Sequence, residues 1–373
     1  MRFPGFSGEW ERVKLGSLFD IGSSKRVFES QWQSSGVPFY RTREIVSLIN
    51  ETPFSSPIYI DEKLFNELIE KYGSIEKGDM LVTGVGTIGQ MYVVPETNKF
   101  YFKDGNVIWF KHNPNVSSQF IKQLFSTNSI ITQLHNNASI TTVATYTIDG
   151  AKKTIAFIPS KKEQDKIASF LALIDQRIAI QNKVIEKYES LIKALRRHIF
   201  STIESEKEVT IADVLSYEQP TKYIVSDTEY SDNKDLTPVL TANKAFVLGY
   251  TEETKGIYDK GPCIILDDFT LDSKIVDFPF KVKSSAIKIL SAKTSVHLRY
   301  IYEYLKFLDL NTEEHKRHYI SEIEPMTIEL PDEDAIQSIA YLFDRMDQRR
   351  QRLERDLQLL KYQKDYLLRA LFI

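Results

Sequence analysis

The stretch "DMLVTGVGTIGQMYVV", residues 79–94, places Gly84, Gly86 and Gly89 in a G-x-G-x-x-G spacing directly after an apolar run. Such a spacing could cradle a pyrophosphate, provided a helix opens at the third glycine and turns its free N–H groups on the ligand. Here "QMYVVPETNKFYF" comes next instead, β-branched, aromatic and broken by Pro95. That run reads as strand, turn and strand. Asp104 stands where a ribose-binding acid is expected, about 20 residues on, but it has no helix to work with. The stretch is therefore expected to be a glycine-rich β-turn carrying exposed Thr83 and Thr87, able to bring backbone close to a ligand.

Other chemistry is sparse. His315 and His318 in "EEHKRH" (313–318) could ligate a metal, yet no cysteine or further carboxylate supports them, and a solvated polar helix face is the simpler expectation. No phosphate-binding G-x-x-x-x-G-K-S/T loop is present. The single cysteine, Cys263, excludes internal disulfides and four-cysteine zinc sites and fits a reducing cytoplasm. At 373 residues the chain can hold two domains. No apolar run approaches the roughly 18 residues that a membrane helix needs, and no signal peptide is expected at "MRFPGFSGEW". A net charge of −3 does not mark a globally basic nucleic-acid binder, so any such role must rest on local patches.

The elements that would position these residues are laid out twice. "IPSKKEQDKIASFLALIDQR" (158–177) matches "LPDEDAIQSIAYLFDRMDQR" (330–349), and the same offset carries "LRRHIF" (195–200) onto "LLRALF" (367–372). More loosely, "VKLGSL" (13–18) pairs with "VTIADVL" (209–215), "VPFYRTRE" (37–44) with "TPVLTANK" (237–244), and "EKGDMLV" (76–82) with "DKGPCII" (259–265). The glycine turn becomes "LDDFTLDS" (266–273) in the second copy. These matches imply a tandem duplication, each half a β-rich domain and then a helix: residues 1–159, helix 160–207, residues 208–331, helix 332–373. The fold class is α+β.

Both helices carry a seam in steps of three and four. The first runs through Leu171, Ile174, Ile178, Gln181, Ile185, Tyr188, Ile192, Leu195 and Ile199. The second runs through Phe343, Met346, Arg350, Leu353, Leu357, Leu360, Lys364, Leu367 and Leu371. Ser160 and Glu163 form a capping box ahead of the first. At about 40 residues each helix is about 60 Å long. Two such seams most readily bury each other as an antiparallel coiled coil, because the second helix must run back, which puts the β-rich domains at opposite ends in a pseudo-two-fold array. The plainer expectation is that each helix docks on its own domain. Two related modules so arranged suit DNA, whose own pseudo-symmetry offers two half-sites.

The run Pro159, Glu163, Gln164, Ile167, Leu171, Asp175 after a β-rich domain resembles the start of the conserved region in type I restriction–modification specificity subunits. "RFPGFSGEWERVKLGSLFDI" is similar to that family's opening, "GDMLVTGVGTIG" to a turn in its target-recognition domains, and "GPCIILDDFT…VDFPFKVKSSAIKIL" to a second such domain. The resemblance covers essentially the whole chain; Ala335 and Ile336 depart from Glu163 and Gln164 of the first copy. It implies target-recognition domains at 1–159 and 208–331 and a non-catalytic, cytoplasmic subunit of a bacterial or archaeal complex. That subunit would read one half of a bipartite, asymmetric double-stranded DNA site with each domain. The coiled coil would set the spacer and dock two methyltransferase subunits, joined by restriction subunits in the full complex. Cofactors are expected to be absent from this chain, S-adenosylmethionine and ATP belonging to the partners. In agreement, the stretch nearest to an adenine methyltransferase N/D-P-P-Y/F loop, "HNPNVS" (112–117), lacks the second proline and the aromatic.

Base reading needs bidentate donors, and phosphate contact needs Lys, Ser, Thr and backbone N–H. In the first domain the candidates are Lys25, Arg26, Arg41, Arg43, the turn of Thr83, Gly84, Gly86 and Thr87, and Asn136, Asn137 and Thr141. In the second they are Tyr223, Thr241, Asn243, Lys244, Asp268, Lys281, Lys283, Ser284 and Ser285. Residues 1–160 hold 16 Lys and Arg against 15 Asp and Glu; residues 208–331 hold 14 against 21. Phosphate attraction in the second domain must therefore come from a locally basic face or from partners. A coiled-coil scaffold with two β-rich protein-binding domains is the alternative, and a nicotinamide-dependent enzyme a weaker one.

Overall fold

The computed structural model describes residues 2–96, 99–136, 145–242, 245–293, 297–310 and 316–372. The chain divides into two units, residues 1–181 with 356–373 and residues 182–355.

In the first unit, strands β2 (Ile21–Gly22), β9 (Val107–Phe110), β6 (Met80–Thr83) and β7 (Met91–Val93) form an antiparallel sheet in that order. A second sheet runs β3 (Trp32–Gln33), β5 (Ile58–Ile60), β4 (Val37–Tyr40), β8 (Tyr101–Phe102), its last pair parallel. Strands β1 (Glu11–Lys14) and β10 (Ile155–Ile158) pair separately. Every residue of β6 is buried, because its period of two feeds two cores. Met80 and Val82 face a core built with helices α1 (Leu15–Leu18), α4 (Ser118–Leu124), α5 (Asn128–Asn136) and α6 (Ile148–Lys153). Leu81 faces the other way, toward Phe102, Val107 and Trp109. Helices α2 (Thr42–Ile49) and α3 (Glu62–Tyr72) cover that side, Ile45 joining this core and Phe65 a further cluster with Phe39 and Ile60.

The second unit repeats the plan. The antiparallel sheet runs β12 (Leu215–Glu218), β18 (Ile287–Ala292), β15 (Cys263–Asp267), β16 (Ser273–Val276). Its companion runs β14 (Val247–Thr251), β13 (Thr237–Leu240), β17 (Lys281–Val282), again ending in a parallel pair. Strands β11 (Lys207–Thr210) and β19 (Thr327–Leu330) pair as β1 and β10 do, with the short helix α8 (Ile211–Val214) after β11 where α1 follows β1. Ile264 and Leu266 of β15 pack under helix α9 (Leu298–Phe307), while Cys263 and Ile265 pack against the companion sheet. The shared strand order is the duplication read from the sequence.

Helices α7 (Lys161–Thr202) and α10 (Glu333–Leu371) each contribute to both units. In the first unit, Ile167, Ala168, Leu171, Ile174 and Ile178 share a core with Leu367, Leu368, Leu371 and Phe372. There Lys364, one of the two polar interruptions of the second seam, reaches across to Asp175 at 2.6 Å. In the second unit, Tyr188, Ile192, Leu195, Ile199 and Phe200 pack with Ile336, Ile339, Phe343 and Met346. Early α7 thus meets late α10 and late α7 meets early α10, the pairing of an antiparallel pair. A charged clamp adds to the second contact. Glu303 of α9, 1% exposed, accepts from Arg196 of α7 (2.8 Å) and pairs with Arg299 (2.9 Å), whose guanidinium also donates to Phe343 O.

Candidate nucleic-acid interface

Strand register brings the loops of the first unit together. Gly22 lies opposite Trp109 and Thr83 opposite Val107, so loop 23–26, hairpin 84–90 and turn 103–106 leave the sheet at one end. Hydrogen bonds lace them. Ser23 Oγ donates to Val107 O (2.7 Å) and accepts from Gly105 N; Ser24 Oγ donates to Phe102 O (2.6 Å); Lys25 N donates to the Tyr101 hydroxyl (2.9 Å). Gly84 N donates to Asn106 O, and Gly84 O accepts from Tyr146 N, both at 2.8 Å. Tyr146 is fully buried; burial pushes its phenol up to about 12, against a Thr154 hydrogen bond that lowers it.

The hairpin is a turn between two strands, since β7 follows the glycines where a nucleotide fold would have a helix. A Cβ on Gly84 would lie 2.7 Å from Tyr146 O, and Gly86 has φ +78°, so both positions need glycine for backbone reasons. Thr83 departs from expectation. It is fully buried, its hydroxyl donating to Thr87 O and accepting from Gln90 N, so that it staples the hairpin from inside. Gly86 and Thr87 remain at the surface.

Arg41 and Arg43 are also engaged within the fold. Arg41 forks onto Glu44 (3.0 and 2.6 Å), Arg43 reaches the same carboxylate at 2.7 Å, and both donate to Ser56 O. Glu44 is 2% exposed and accepts the Arg41 backbone N–H at the start of α2. Burial alone would raise its pKa, but the two guanidiniums overcome that and hold it below the usual carboxylate range. These arginines therefore order the β4–α2 junction, Arg41 largely covered there and Arg43 still half exposed. Lys25 and Arg26 are exposed, Arg26 lying 3.5 Å from Asp104. Asn136 is exposed at the end of α5, whereas Asn137 and Thr141 lie outside the described residues.

In the second unit, Asp267 pairs with Ile287 and Asp268 N donates to Ala286 O, so hairpin 268–272 and loop 283–286 adjoin at the matching sheet end. Asp267 does the work of the glycines: its carboxylate accepts from Phe269 N (2.9 Å) and Thr270 N (3.0 Å). Lys283 is exposed, Thr241, Ser284 and Ser285 are half-buried, and Arg317, which the sequence pattern did not single out, donates to Ser285 Oγ. Three expected contacts are instead buried. Asp268, 1% exposed, pairs with buried Lys288 (3.1 Å) and accepts from the backbone of His318 and Tyr319. Lys281 binds Glu253 (2.9 Å) and Lys255 O, and the Tyr223 hydroxyl donates to Glu218 (2.9 Å). Asn243 and Lys244 lie outside the described residues.

His318 is buried, not on a solvated helix face, and its Nδ1 lies 2.7 Å from Glu322; His315 is outside the described residues. Among the described residues no group of three His, Cys, Asp or Glu side chains could hold a metal, and no helix is long and apolar enough to cross a membrane. The arrangement at the two loop clusters pairs its buried polar side chains within the fold, Thr83 with Thr87 O and Asp268 with Lys288. What it offers is two loop sets of different chemistry on one repeated scaffold.

Residues 7–190 match the family model described as "Type I restriction modification DNA specificity domain". The specificity subunit of the Escherichia coli type I restriction enzyme EcoR124I/EcoR124II is 41% identical over 169 residues, 42% of this chain and 42% of that protein. The matched segment thus spans less than half of that relative's length. Among solved structures, the type I restriction–modification S subunit of M. genitalium aligns with a TM-score of 0.63 at 15% identity, covering 100% of this chain and 99% of that one. A chain solved in work on "complex assembly" and "conformational transition of the type I R-M system" aligns at 0.57 and 12% identity, with 97% of each chain covered. At such identities these two structures bear on the fold alone.

Proposed function

Since the chain belongs to the type I restriction modification DNA specificity family, residues 7–190 being its matched domain, we propose that it selects the DNA sequence on which a restriction–modification complex acts. Each β-rich unit reads one half of a bipartite, asymmetric site in double-stranded DNA. The chain itself catalyses nothing; S-adenosylmethionine and ATP belong to methyltransferase and restriction subunits assembled with it in the cytoplasm of a bacterial or archaeal cell. The observation that carries this reading is the repeated strand order with unlike loops at the matching sheet end, glycine-built in one unit and aspartate-capped in the other. One scaffold presented twice with different loops suits two different half-sites.

Docking of two methyltransferase subunits is supported by a second apolar stripe on α7. Phe170, Leu173, Ile180, Val184 and Leu191 are between 38% and 61% exposed and keep the three-and-four spacing with Arg177 and Lys187 between them. Leu359, Tyr362 and Tyr366, between 60% and 68% exposed, keep the same spacing on α10. Such stripes fit partner helices.

The test is to assemble the full chain with its methyltransferase and map methylated adenines across a genome. A split, asymmetric motif separated by an unread spacer is expected; methylation without sequence preference would refute the reading. Inserting one heptad into both long helices adds about 10 Å to each. The spacer should then grow by one to a few base pairs with the half-sites unchanged. An unaltered spacer would refute the helices as its ruler.

A further inference from the structure

Loop 23–26 and the last turn of α3 meet around one exposed aromatic ring. The Lys25 ammonium lies 5.1 Å from the centre of the Tyr72 ring and the Lys71 ammonium 5.3 Å from it. Tyr72 is 37% exposed. Several other cations of this unit are neutralised internally: Arg26 and Lys103 by Asp104, Arg41 and Arg43 by Glu44, Lys99 by Glu62, Lys111 by Asp20. Among the described residues Lys25 and Lys71 have no such carboxylate, and the Tyr72 hydroxyl has no hydrogen-bond partner. In a chain of net charge −3, two uncompensated cations held on one ring leave a place for an anion from outside.

The patch is also held in place. Ser23, Ser24 and the Lys25 backbone bond inward to the turn and strand beside them, so the loop that carries Lys25 does not have to be ordered on binding. The ring gathers the flexible lysine stems, and the Tyr72 hydroxyl adds a donor. Two ammonium point charges and a hydroxyl suit phosphate oxygens better than base edges, which call for planar bidentate groups.

We propose that Lys25, Lys71 and Tyr72 form a clamp on the DNA phosphate backbone that seats the first unit on the duplex and carries no sequence information. The proposal rests on the DNA-reading function above and names the contact chemistry of one part of it. Neither Lys71 nor Tyr72 stands out in the sequence, since a lysine and tyrosine at a helix end carry no distinguishing pattern.

The test uses the full chain assembled with its methyltransferase and a fluorescent duplex bearing the mapped site. Affinity is measured against NaCl, with a scrambled duplex alongside. Each lost phosphate contact reduces the slope of log K against log salt by about 0.9. K25Q/K71Q should therefore flatten the slope by about 1.8, so that the affinity lost between 50 and 200 mM salt is about twelvefold smaller than for the unaltered complex. Its affinity should fall by the same factor on cognate and scrambled DNA, with the methylated motif unchanged. An unchanged slope overturns the clamp while leaving DNA reading intact. A changed motif overturns it too, by making these residues base readers, and loss of the methyltransferase from the purified complex would make the patch a protein interface. Absence of sequence preference in the unaltered complex is the separate result that refutes the function itself.

Discussion

Leu171 and Leu173 lie two residues apart on α7, yet Leu171 is fully buried and Leu173 is 59% exposed. Two helical steps turn a side chain by about 200°, which takes it from the seam to the opposite stripe. Leu171 sits in the core with Ile167, Ile174, Leu368 and Leu371. Leu171→Ala should remove close-packed contacts and leave a cavity, at a cost of about 2.7 to 5 kcal/mol. Leu173→Ala removes little burial and improves helix propensity, so its effect on stability should stay within about 0.5 kcal/mol. Because the chain holds two units, a single global unfolding midpoint would mix them. Amide hydrogen exchange resolved by segment is the suitable assay. For L171A, exchange in α4, α5 and residues 161–181 should quicken by roughly 100-fold or more, at about 1.4 kcal/mol per factor of ten, while β12–β18 stay unchanged. For L173A no segment should change more than about threefold. Equal effects of the two substitutions would show the seam to be assigned wrongly.

Glu44→Gln tests the junction after β4. The folded pKa of Glu44 is depressed, so its contribution to stability is fully present above the unfolded value of about 4.3 and is lost as pH falls through the folded pKa. The substituted chain should lose protection in α2 at pH 7 and show a flatter acid dependence there, read by exchange at a series of pH values; an unchanged acid profile would refute the assignment. Glu303→Ala leaves buried Arg299 short of its main carboxylate and should destabilise the second unit by about 3 to 5 kcal/mol. A loss below about 1 kcal/mol in the exchange of α9 would mean that the clamp is dispensable.

Periodicity made the long helices readable, because burial repeats where geometry demands it. Even there the seam drifts: Leu368, outside the assumed spacing, is 6% exposed, whereas Leu367, within it, is only half-buried. A straight helix has 3.6 residues per turn, so a strict seven-residue frame slips toward its end. The glycine hairpin was likewise legible, since the β-branched and aromatic run after Gly89 favours a strand over a helix. The interface was legible only in outline. Thr83, Asp268 and Lys281 are polar side chains in the right loops, yet each has its partner inside the fold. Residue type alone does not tell a hydroxyl that staples a hairpin from one that meets a ligand. Glu44 is the sharper case: nothing local in "YRTRE" says that its carboxylate, and not a base, takes both arginines.

The last turns of α10 are part of the first unit's interior, with Phe372 stacked on Phe120 at 5.2 Å and set edge-on to Trp10 at 6.0 Å. During synthesis, the amino-terminal sheets emerge from the ribosome long before the segment that completes their core. Until residues 356–372 arrive, the groove formed by Trp10, Phe120, Leu171 and Ile174 stays open to water, and the nascent chain offers an apolar surface that a chaperone could hold. Its neighbour, residues 182–355, lies wholly within that interval and can fold first, which shortens the loop that must then be closed. The half made first can be completed only once the last turns of α10 are in place.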